Sequence, residues 1–191
     1  MEEEIRTLRK MNTWELTSLP KNRNPISCRW VFALKKNASG EIVRYKAQLV
    51  ARGYSQEYGI DYRETFAPVI RLDALQVVLA IVAIKGWDTR QLDVKGAYLH
   101  GDLEEEIYMV QPAEFSDNTD KVCRLIHSLY GLKQSGQAWY FKFKNILLKY
   151  GFKQFDVEHF LYLWEWNRKV QFILAWIENL LTFGETLDDT A

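Results

Sequence analysis

The sequence predicts an α+β fold built from short antiparallel strands and two long helices. Three observations predict it: β-rich runs on either side of a turn between residues 28 and 50, helical spacing of apolar residues at about 71–85 and 135–150, and strand-like runs concentrated after residue 160. The chain has 191 residues and no glycine- or proline-rich linker, so it is long enough for one substantial core. We therefore expect a single globular domain over the whole chain.

The first part of the chain predicts a helix and then a hairpin. Residues 1–20 contain apolar residues nearly at helical spacing, which indicates a short helix. The runs 28–36 and 41–50 are rich in β-branched and aromatic residues. Asn37-Ala-Ser-Gly40 between them has the residue types of a tight turn, so the two runs predict a β-hairpin.

The first long helix, at about 71–85, has Asp73 in its first turn and Gly86 just beyond its end. We expect it to pack under the sheet. The second, at about 135–150, is expected to end at Gly151. The apolar residues that recur at helical spacing are Leu72, Leu75, Val78, Leu79 and Val82 in the first helix, and Trp139, Phe143, Ile146, Leu147 and Tyr150 in the second.

The remaining strands are predicted around these helices. Residues 87–94 and 107–110 are strand-like, and the acidic run 102–106 between them is most simply a solvated turn. The runs 160–164 and 170–175 predict one hairpin. A further strand at residues 180–183 is expected to pair with the run 170–175 across the turn 176–179, which makes a second hairpin.

Charge is distributed in blocks, although the formal net charge is zero. Residues 21–56 carry eight Lys and Arg against one acid, 101–120 carry seven acids and no base, and 121–153 carry seven Lys and Arg and no acid. Two basic blocks could line one groove for a phosphate backbone. Charge alone, however, favours the interpretation that they are ordinary solvated faces.

The sequence contains no apolar run long enough to cross a bilayer and no signal-peptide order at its start, so we expect a cytoplasmic or nuclear protein that is neither secreted nor membrane-bound. Cys28 and Cys123 lack a Cys-x-x-Cys partner, which predicts two reduced thiols rather than zinc ligands or a disulfide.

Three segments carry a resemblance to a known family: Lys46-Ala-Gln-Leu-Val-Ala-Arg52-Gly-Tyr-Ser-Gln56, Gln91-Leu-Asp93-Val-Lys-Gly-Ala-Tyr98-Leu-His-Gly-Asp-Leu-Glu-Glu-Glu-Ile-Tyr-Met109 and Ser128-Leu-Tyr-Gly-Leu-Lys-Gln134-Ser-Gly-Gln-Ala-Trp139-Tyr. In content and order they closely resemble the reverse transcriptase of copia-type LTR retrotransposons. The resemblance implies fingers over roughly 21–70 and a palm over roughly 71–185, with an antiparallel palm sheet packed on helices. It also implies that this chain stops before a thumb.

The resemblance implies the chemistry of an RNA-directed DNA polymerase, with Mg²⁺ as cofactor. Its partners would be an RNA template, a DNA primer, deoxynucleoside triphosphates and the remainder of a Pol polyprotein. Nucleotidyl transfer needs carboxylates that hold two magnesium ions. By position, the resemblance identifies the Asp93 carboxylate and the Val94 carbonyl as ligands of one metal centre.

The remaining catalytic acids of the family fall on an altered segment. Trp176-Ile177-Glu178-Asn179 stands where the family has Tyr-Val-Asp-Asp. Glu178 keeps the charge on a longer side chain and is predicted as a metal ligand, whereas Asn179 removes a charge, so the catalytic set Asp93, Glu178 and Asn179 is degenerate. From the motif order we expect Asp93 and Glu178 to approach each other at adjacent strand ends of one antiparallel sheet, with weak or absent Mg²⁺ binding. Asp188 and Asp189 in a polar tail are no substitute.

Four residues are predicted to bind substrate by the same resemblance: Lys35, Lys46, Tyr98 and Gln134. The cations would meet triphosphate. Tyr98 would lie beneath the sugar, although plain core packing explains it equally well. Gln134 would lie beside the templating base.

The chain also departs from the family elsewhere. Gln48 replaces a common arginine and so loses a bidentate cationic fork. Gly136-Gln137 stands where Pro-Arg is usual, and Glu158-His159-Phe160-Leu161-Tyr162 replaces Asp-Pro-Cys-Leu-Tyr.

Three hypotheses about function follow. The chain is an inactive remnant of a retrotransposon polymerase domain, or an active polymerase fragment that uses Glu178 in place of aspartate. Alternatively, it is a domesticated nucleic-acid-binding or interaction module that keeps the fold without catalysis.

Overall fold

The computed structural model describes residues 1–167 and 169–185. Its helices and strands are, in chain order, α1 (Glu2–Lys10), β1 (Trp14–Thr17), β2 (Cys28–Lys36), β3 (Ile42–Ala51), α2 (Leu72–Lys85), β4 (Asp88–Asp93), β5 (Asp102–Met109), β6 (Val122–His127), α3 (Ser135–Lys149), β7 (Lys153–Gln154), β8 (Leu161–Trp166), β9 (Lys169–Trp176) and β10 (Asn179–Gly184). The mixture of antiparallel sheets with few helices is compatible with a reverse-transcriptase-like domain.

Contacts between Cα atoms group the chain into two compact units. The first unit is Met1–Thr65 with Tyr98–Trp139, and the second is Phe66–Ala97 with the described residues from Tyr140 onward. The boundaries predicted for fingers and palm stay predictions.

The first unit contains a three-stranded antiparallel sheet in the order β1-β6-β5 and the separate hairpin β2-β3. The hairpin confirms the sequence prediction, and the Gly40 amide donates to the Asn37 carbonyl in its turn, at 3.0 Å. The short helix predicted within residues 1–20 is α1, whose Ile5 and Leu8 are buried. They join a core that also includes Leu49, Ile107, Met109, Cys123, Leu125, Leu129 and Leu132.

The prediction that the acidic run 102–106 is a solvated turn was wrong, because the run belongs to strand β5. Exposed and half-buried residues alternate along it, as a period of two requires. Glu105 is half-buried because its carboxylate accepts hydrogen bonds from Gln134 Nε2 at 3.1 Å and from the Arg63 amide at 3.2 Å. Tertiary partners thus hold acidic residues in a strand that composition alone disfavours.

The second unit contains a five-stranded antiparallel sheet in the order β4-β10-β9-β8-β7. Helix α2 packs on it as predicted, with Val78 and Val82 in a core with Leu161, Leu174 and Phe183. Gly86 ends the helix in the left-handed conformation, at φ 62°. The predicted apolar face was only partly right, because Leu72 is 68% exposed and Leu79 is 44% exposed.

Helix α3 confirms the second long helix, with Trp139, Phe143 and Leu147 buried. Ile146 and Tyr150 were also predicted on its packing face but are 41% and 72% exposed. Among the described residues, none of the helices is both long and apolar enough to span a bilayer. Both thiols are free as predicted, and burial raises the pKa of Cys123 to about 12.

Candidate metal and substrate residues

The end of β4 lies beside the turn between β9 and β10, in the second unit. Strands β4 and β10 are antiparallel, and their register pairs Asp93 with Asn179. Beyond this pair, the Val94 amide donates to the Glu178 carbonyl at 2.7 Å. The motif order led us to expect that these strand ends meet, and the pairing brings Asp93, Val94, Glu178 and Asn179 together.

Asn179, rather than an acid, is the direct partner of Asp93. Directly opposed residues of an antiparallel pair project from the same face of the sheet. Gln91, two residues before Asp93, belongs to that face as well, and its Nε2 donates to Asn179 Oδ1 at 3.1 Å. The position opposite Asp93 is therefore neutral, and its one acceptor oxygen already receives a hydrogen bond.

Glu178 lies in the turn itself and is half-buried, whereas Asp93 is exposed. The residue before it, Ile177, has φ 54°. A β-branched residue in this left-handed region is an outlier, since the conformation costs roughly 1–2 kcal/mol for an L residue. The turn therefore keeps a definite and strained shape.

These residues do not fit a two-magnesium centre. Magnesium prefers hard oxygen ligands in nearly octahedral geometry, and a pair of ions needs several carboxylates. Asp93 and Glu178 supply two carboxylates, and Asn179 supplies a neutral amide. In residues 1–167 and 169–185, no group of three or more His, Cys, Asp or Glu side chains could hold a metal ion.

The substrate-binding candidates Lys35 and Lys46 lie on the β2-β3 hairpin, in the first unit. The register pairs Lys35 with Arg44 and Ala33 with Lys46, so alternation places Lys35, Arg44 and Lys46 on one face. Arg44 is also bonded to Glu3 at 2.6 Å. This face of the hairpin can meet phosphate, and Gln48 occupies it where the resemblance expects a further cation.

The opposite face of the hairpin was missed by the sequence analysis. Phe32, Leu34 and Tyr45 share it by register and are 67%, 53% and 76% exposed. The alternation of large apolar residues along β2 is the sequence feature that could have indicated this apolar face. Burial could not be inferred from it, because the inner part of the same face packs into the core through Leu49.

Gln134 is a buried member of a polar network in the first unit. It is 3% exposed, its Nε2 donates to the Asp61 carbonyl at 2.8 Å and to Glu105 Oε2 at 3.1 Å, and its Oε1 accepts from Gln56 Nε2 at 3.0 Å. The Lys133 amide donates to Gln56 Oε1 at 2.8 Å. The amide of Gln134 thus holds two loops and β5 together.

Tyr98 is half-buried and packs edge-to-face on Tyr130, with the ring centroids 4.9 Å apart. The other departures lie at the start of α3 and before β8: Gly136 and Gln137 are half-buried, and Glu158 is 7% exposed. Asp188 and Asp189 lie outside the described residues.

Comparison with known proteins identifies what this chain resembles. A family model described as reverse transcriptase (RNA-dependent DNA polymerase) matches residues 11–188. A retrovirus-related Pol polyprotein from transposon TNT 1-94 of Nicotiana tabacum is 48% identical over 149 residues, which are 77% of this chain and 11% of that protein. Similar polyproteins from transposons RE2 and RE1 of Arabidopsis thaliana are 40% identical over 176 residues, 91% of this chain and 12% of each protein.

Proposed function

The chain belongs to the family of reverse transcriptases, as a copia-type retrotransposon Pol domain, and we propose that this copy is catalytically inactive. The observation that carries the proposal is the pairing of Asp93 with Asn179, whose amide is bonded to Gln91. In the same proposal, residues of roughly 21–70 form fingers and those of roughly 71–185 form a palm.

Nucleotidyl transfer depends on metal ions that the protein must hold in place. Two divalent ions position the attacking hydroxyl and neutralise charge on the phosphates, and the protein contributes carboxylates at fixed places. Here the place opposite Asp93 is neutral, and the second carboxylate, that of Glu178, is longer than the aspartate of the family. A displacement of about 1 Å at a reacting centre can cost on the order of a hundredfold in rate.

Primer extension on an RNA template with Mg²⁺ or Mn²⁺ tests the proposal. We expect no template-dependent product from the chain. The corresponding segment of the tobacco relative, assayed in parallel, shows whether a segment of this length can extend a primer at all. The Glu178→Asp/Asn179→Asp variant shows whether restored acids are sufficient.

If the chain forms product and the Asp93→Asn variant does not, the proposal of inactivity is contradicted. That result would favour the hypothesis that Glu178 acts in place of aspartate.

Retained binding of nucleic acid is a second candidate function, favoured by the cationic face of the β2-β3 hairpin. Lys35, Arg44 and Lys46 share this face by register, and exposed Arg29 lies on it as well. Cations that neutralise phosphates give affinity that falls steeply with salt and depends little on sequence.

Fluorescence anisotropy with a labelled single-stranded oligonucleotide at several salt concentrations tests this candidate. Replacing Lys35 and Lys46 by Gln should weaken binding and reduce the salt slope by about 1–2. Lys10→Gln/Lys85→Gln removes the same charge from exposed helical positions and is the matched control. Equal loss in both double variants would show that net charge, rather than the hairpin face, governs binding.

A further inference from the structure

An apolar cavity of about 540 Å³ lies within the second unit, between α2 and the sheet. None of Asp93, Val94, Glu178 and Asn179 lines it, so it is separate from the candidate metal residues. Its volume is within the range of small-molecule sites, which are about 300–1,000 Å³. Such sites combine apolar walls with a few polar groups that orient the ligand.

Aromatic rings form the wall on the sheet side. Phe172 stacks on Phe183 at 5.4 Å between centroids and 7° between planes, and on Trp87 at 5.6 Å and 28°. Phe155 extends the row, 6.3 Å from Phe172. Offset-stacked rings present their edges and part of their faces, an apolar wall against which another aromatic ring can pack.

The opposite lip is apolar and open to solvent. Val77 and Ile81 of α2 line the cavity and are 59% and 42% exposed, and Val157 is 84% exposed. Covering this surface removes apolar area from water, which favours binding.

One end of the cavity is polar, and its lining charges are Arg71, Asp73 and Glu158. Arg71 is bonded to Asp73, with Nε 3.1 Å from Oδ1, and this hydrogen bond lowers the pKa of Asp73. Glu158 is 7% exposed and accepts hydrogen bonds from the Arg71 amide at 3.2 Å and the Phe160 amide at 3.3 Å. Asp73 balances the positive charge of Arg71, so Glu158 leaves the lining with one net negative charge.

We propose that this cavity binds a planar aromatic molecule that carries a protonated amine. The ring lies against the row of Trp87, Phe172 and Phe183, and the ammonium group meets the carboxylate of Glu158. An acid of the same shape would be repelled, and a neutral molecule would leave the excess charge uncompensated. The inference does not depend on the polymerase proposal.

Three probes of one shape and different charge test it: 1-naphthylmethylamine, 1-naphthalenemethanol and 1-naphthoic acid. Binding is measured by protein-observed NMR titration at pH 7. We expect the amine to bind at least about tenfold more tightly than the alcohol, because its ammonium group forms an ion pair with the Glu158 carboxylate whereas the alcohol offers only a neutral donor. The acid should bind most weakly.

Two variants locate the site and its charge. Ala74 lines the cavity from α2, so Ala74→Phe should fill it and weaken amine binding about tenfold or more. Ala80→Phe, at an exposed position on the same helix, should leave binding unchanged. Glu158→Gln should reduce the amine to the affinity of the alcohol, with the melting temperature of each variant as the folding control.

The comparison of amine and alcohol on the unaltered chain decides the charge preference even if Glu158→Gln fails to fold. Equal affinity of the two probes, absence of binding, or equal loss in both phenylalanine variants would overturn the proposal. The proposal would also be overturned if no probe binds and the chain self-associates in a way that Ala74→Phe abolishes. A second copy of the chain would then be the occupant of the cavity.

Discussion

Two turns of the molecule differ in how well their residues suit the backbone conformation. The residues of the turn between β2 and β3 favour its conformation, whereas a residue of the turn between β9 and β10 opposes it. In the first, Asn37 Oδ1 accepts hydrogen bonds from the Ser39 amide at 3.0 Å and the Glu41 amide at 2.9 Å, and Gly40 takes φ 83°. In the second, Ile177 takes φ 54° although its branched side chain disfavours it. The first turn follows from its own residues, whereas the second is imposed by its surroundings.

The surroundings of the second turn are the strands on both sides of β10, which pairs with β4 and with β9 along its length. In the described chain, left-handed φ values outside glycine occur at Asn12, Asn118, Asn167 and Ile177. Asparagine tolerates this region, and isoleucine does not. Strain of this kind persists only where neighbouring structure fixes the backbone. The strained turn therefore lies beside Asn179, which has no carboxylate.

The largest stability effect should come from Gly40→Ala. A Cβ at φ 83° opposes the left-handed backbone, so we expect the free energy of local opening to fall by about 1–2 kcal/mol. Hydrogen exchange of the β2 and β3 amides near the turn measures it. Ser39→Ala keeps the Ser39 amide and is the control. Equal exchange in both variants would mean that the turn does not need glycine.

Asn37→Ala should have a somewhat smaller effect on the same amides. It removes the oxygen that accepts two backbone hydrogen bonds, in an exposed turn, so we expect a loss of about 0.5–1.5 kcal/mol. Exchange unchanged from the unaltered chain would show that water replaces the Asn37 oxygen without cost.

Ile177→Gly should behave in the opposite way to Gly40→Ala. Relief of about 1–2 kcal/mol of backbone strain is offset by the flexibility of glycine, about 0.5–1 kcal/mol. We expect a free energy of unfolding equal to that of the unaltered chain or up to about 1.5 kcal/mol higher. Denaturant titration measures it, with Ile177→Val, which keeps the branched side chain, as control. A clear loss in the glycine variant would show that the Ile177 side chain stabilises the turn by packing.

The smallest effect concerns a third turn, after Pro112. Hydrogen bonds from the Thr119 hydroxyl, the Gln111 amide group and the Thr119 backbone amide lower the pKa of Asp117 to about 2. Because the folded pKa lies below the unfolded value of 3.8, the stabilisation is complete above pH 3.8 and is lost as pH falls toward 2. NMR titration should show Gln111→Ala raising this pKa, and an unchanged value would remove Gln111 from the cause.

Local patterns predicted the elements whose stability is local. The spacing of Val78 and Val82 identified α2, and Gly86 and Gly151 identified the ends of the two long helices. The β5 acidic run could not be predicted as a strand, because Glu105 is held there by Gln134 and Arg63, which are distant in sequence. Strands β1 and β6 were missed because each is short and depends on pairing with strands distant in sequence, β1 with β6 and β6 with both β1 and β5.

The candidate site shows the same division. Motif order placed Asp93 beside the segment of Glu178 and Asn179, since strand ends follow from connectivity. It could not show that the Gln91 side chain donates a hydrogen bond to Asn179. Nor could it show that the side-chain amide of Gln134 is hydrogen-bonded to residues of the first unit. Those facts depend on register and on partners that residue types do not specify.

Mn²⁺ binding, followed by the electron paramagnetic resonance of the free ion, tests the central claim most directly. Asn179→Asp restores a carboxylate opposite Asp93, so we expect Mn²⁺ to bind at least about tenfold more tightly than to the unaltered chain, a difference of about 1.4 kcal/mol. Asn145→Asp adds the same charge at an exposed position of α3 among lysines and should change nothing. Equally tight binding by the unaltered chain, abolished by Asp93→Asn, would contradict the account and show that Asp93 and Glu178 suffice.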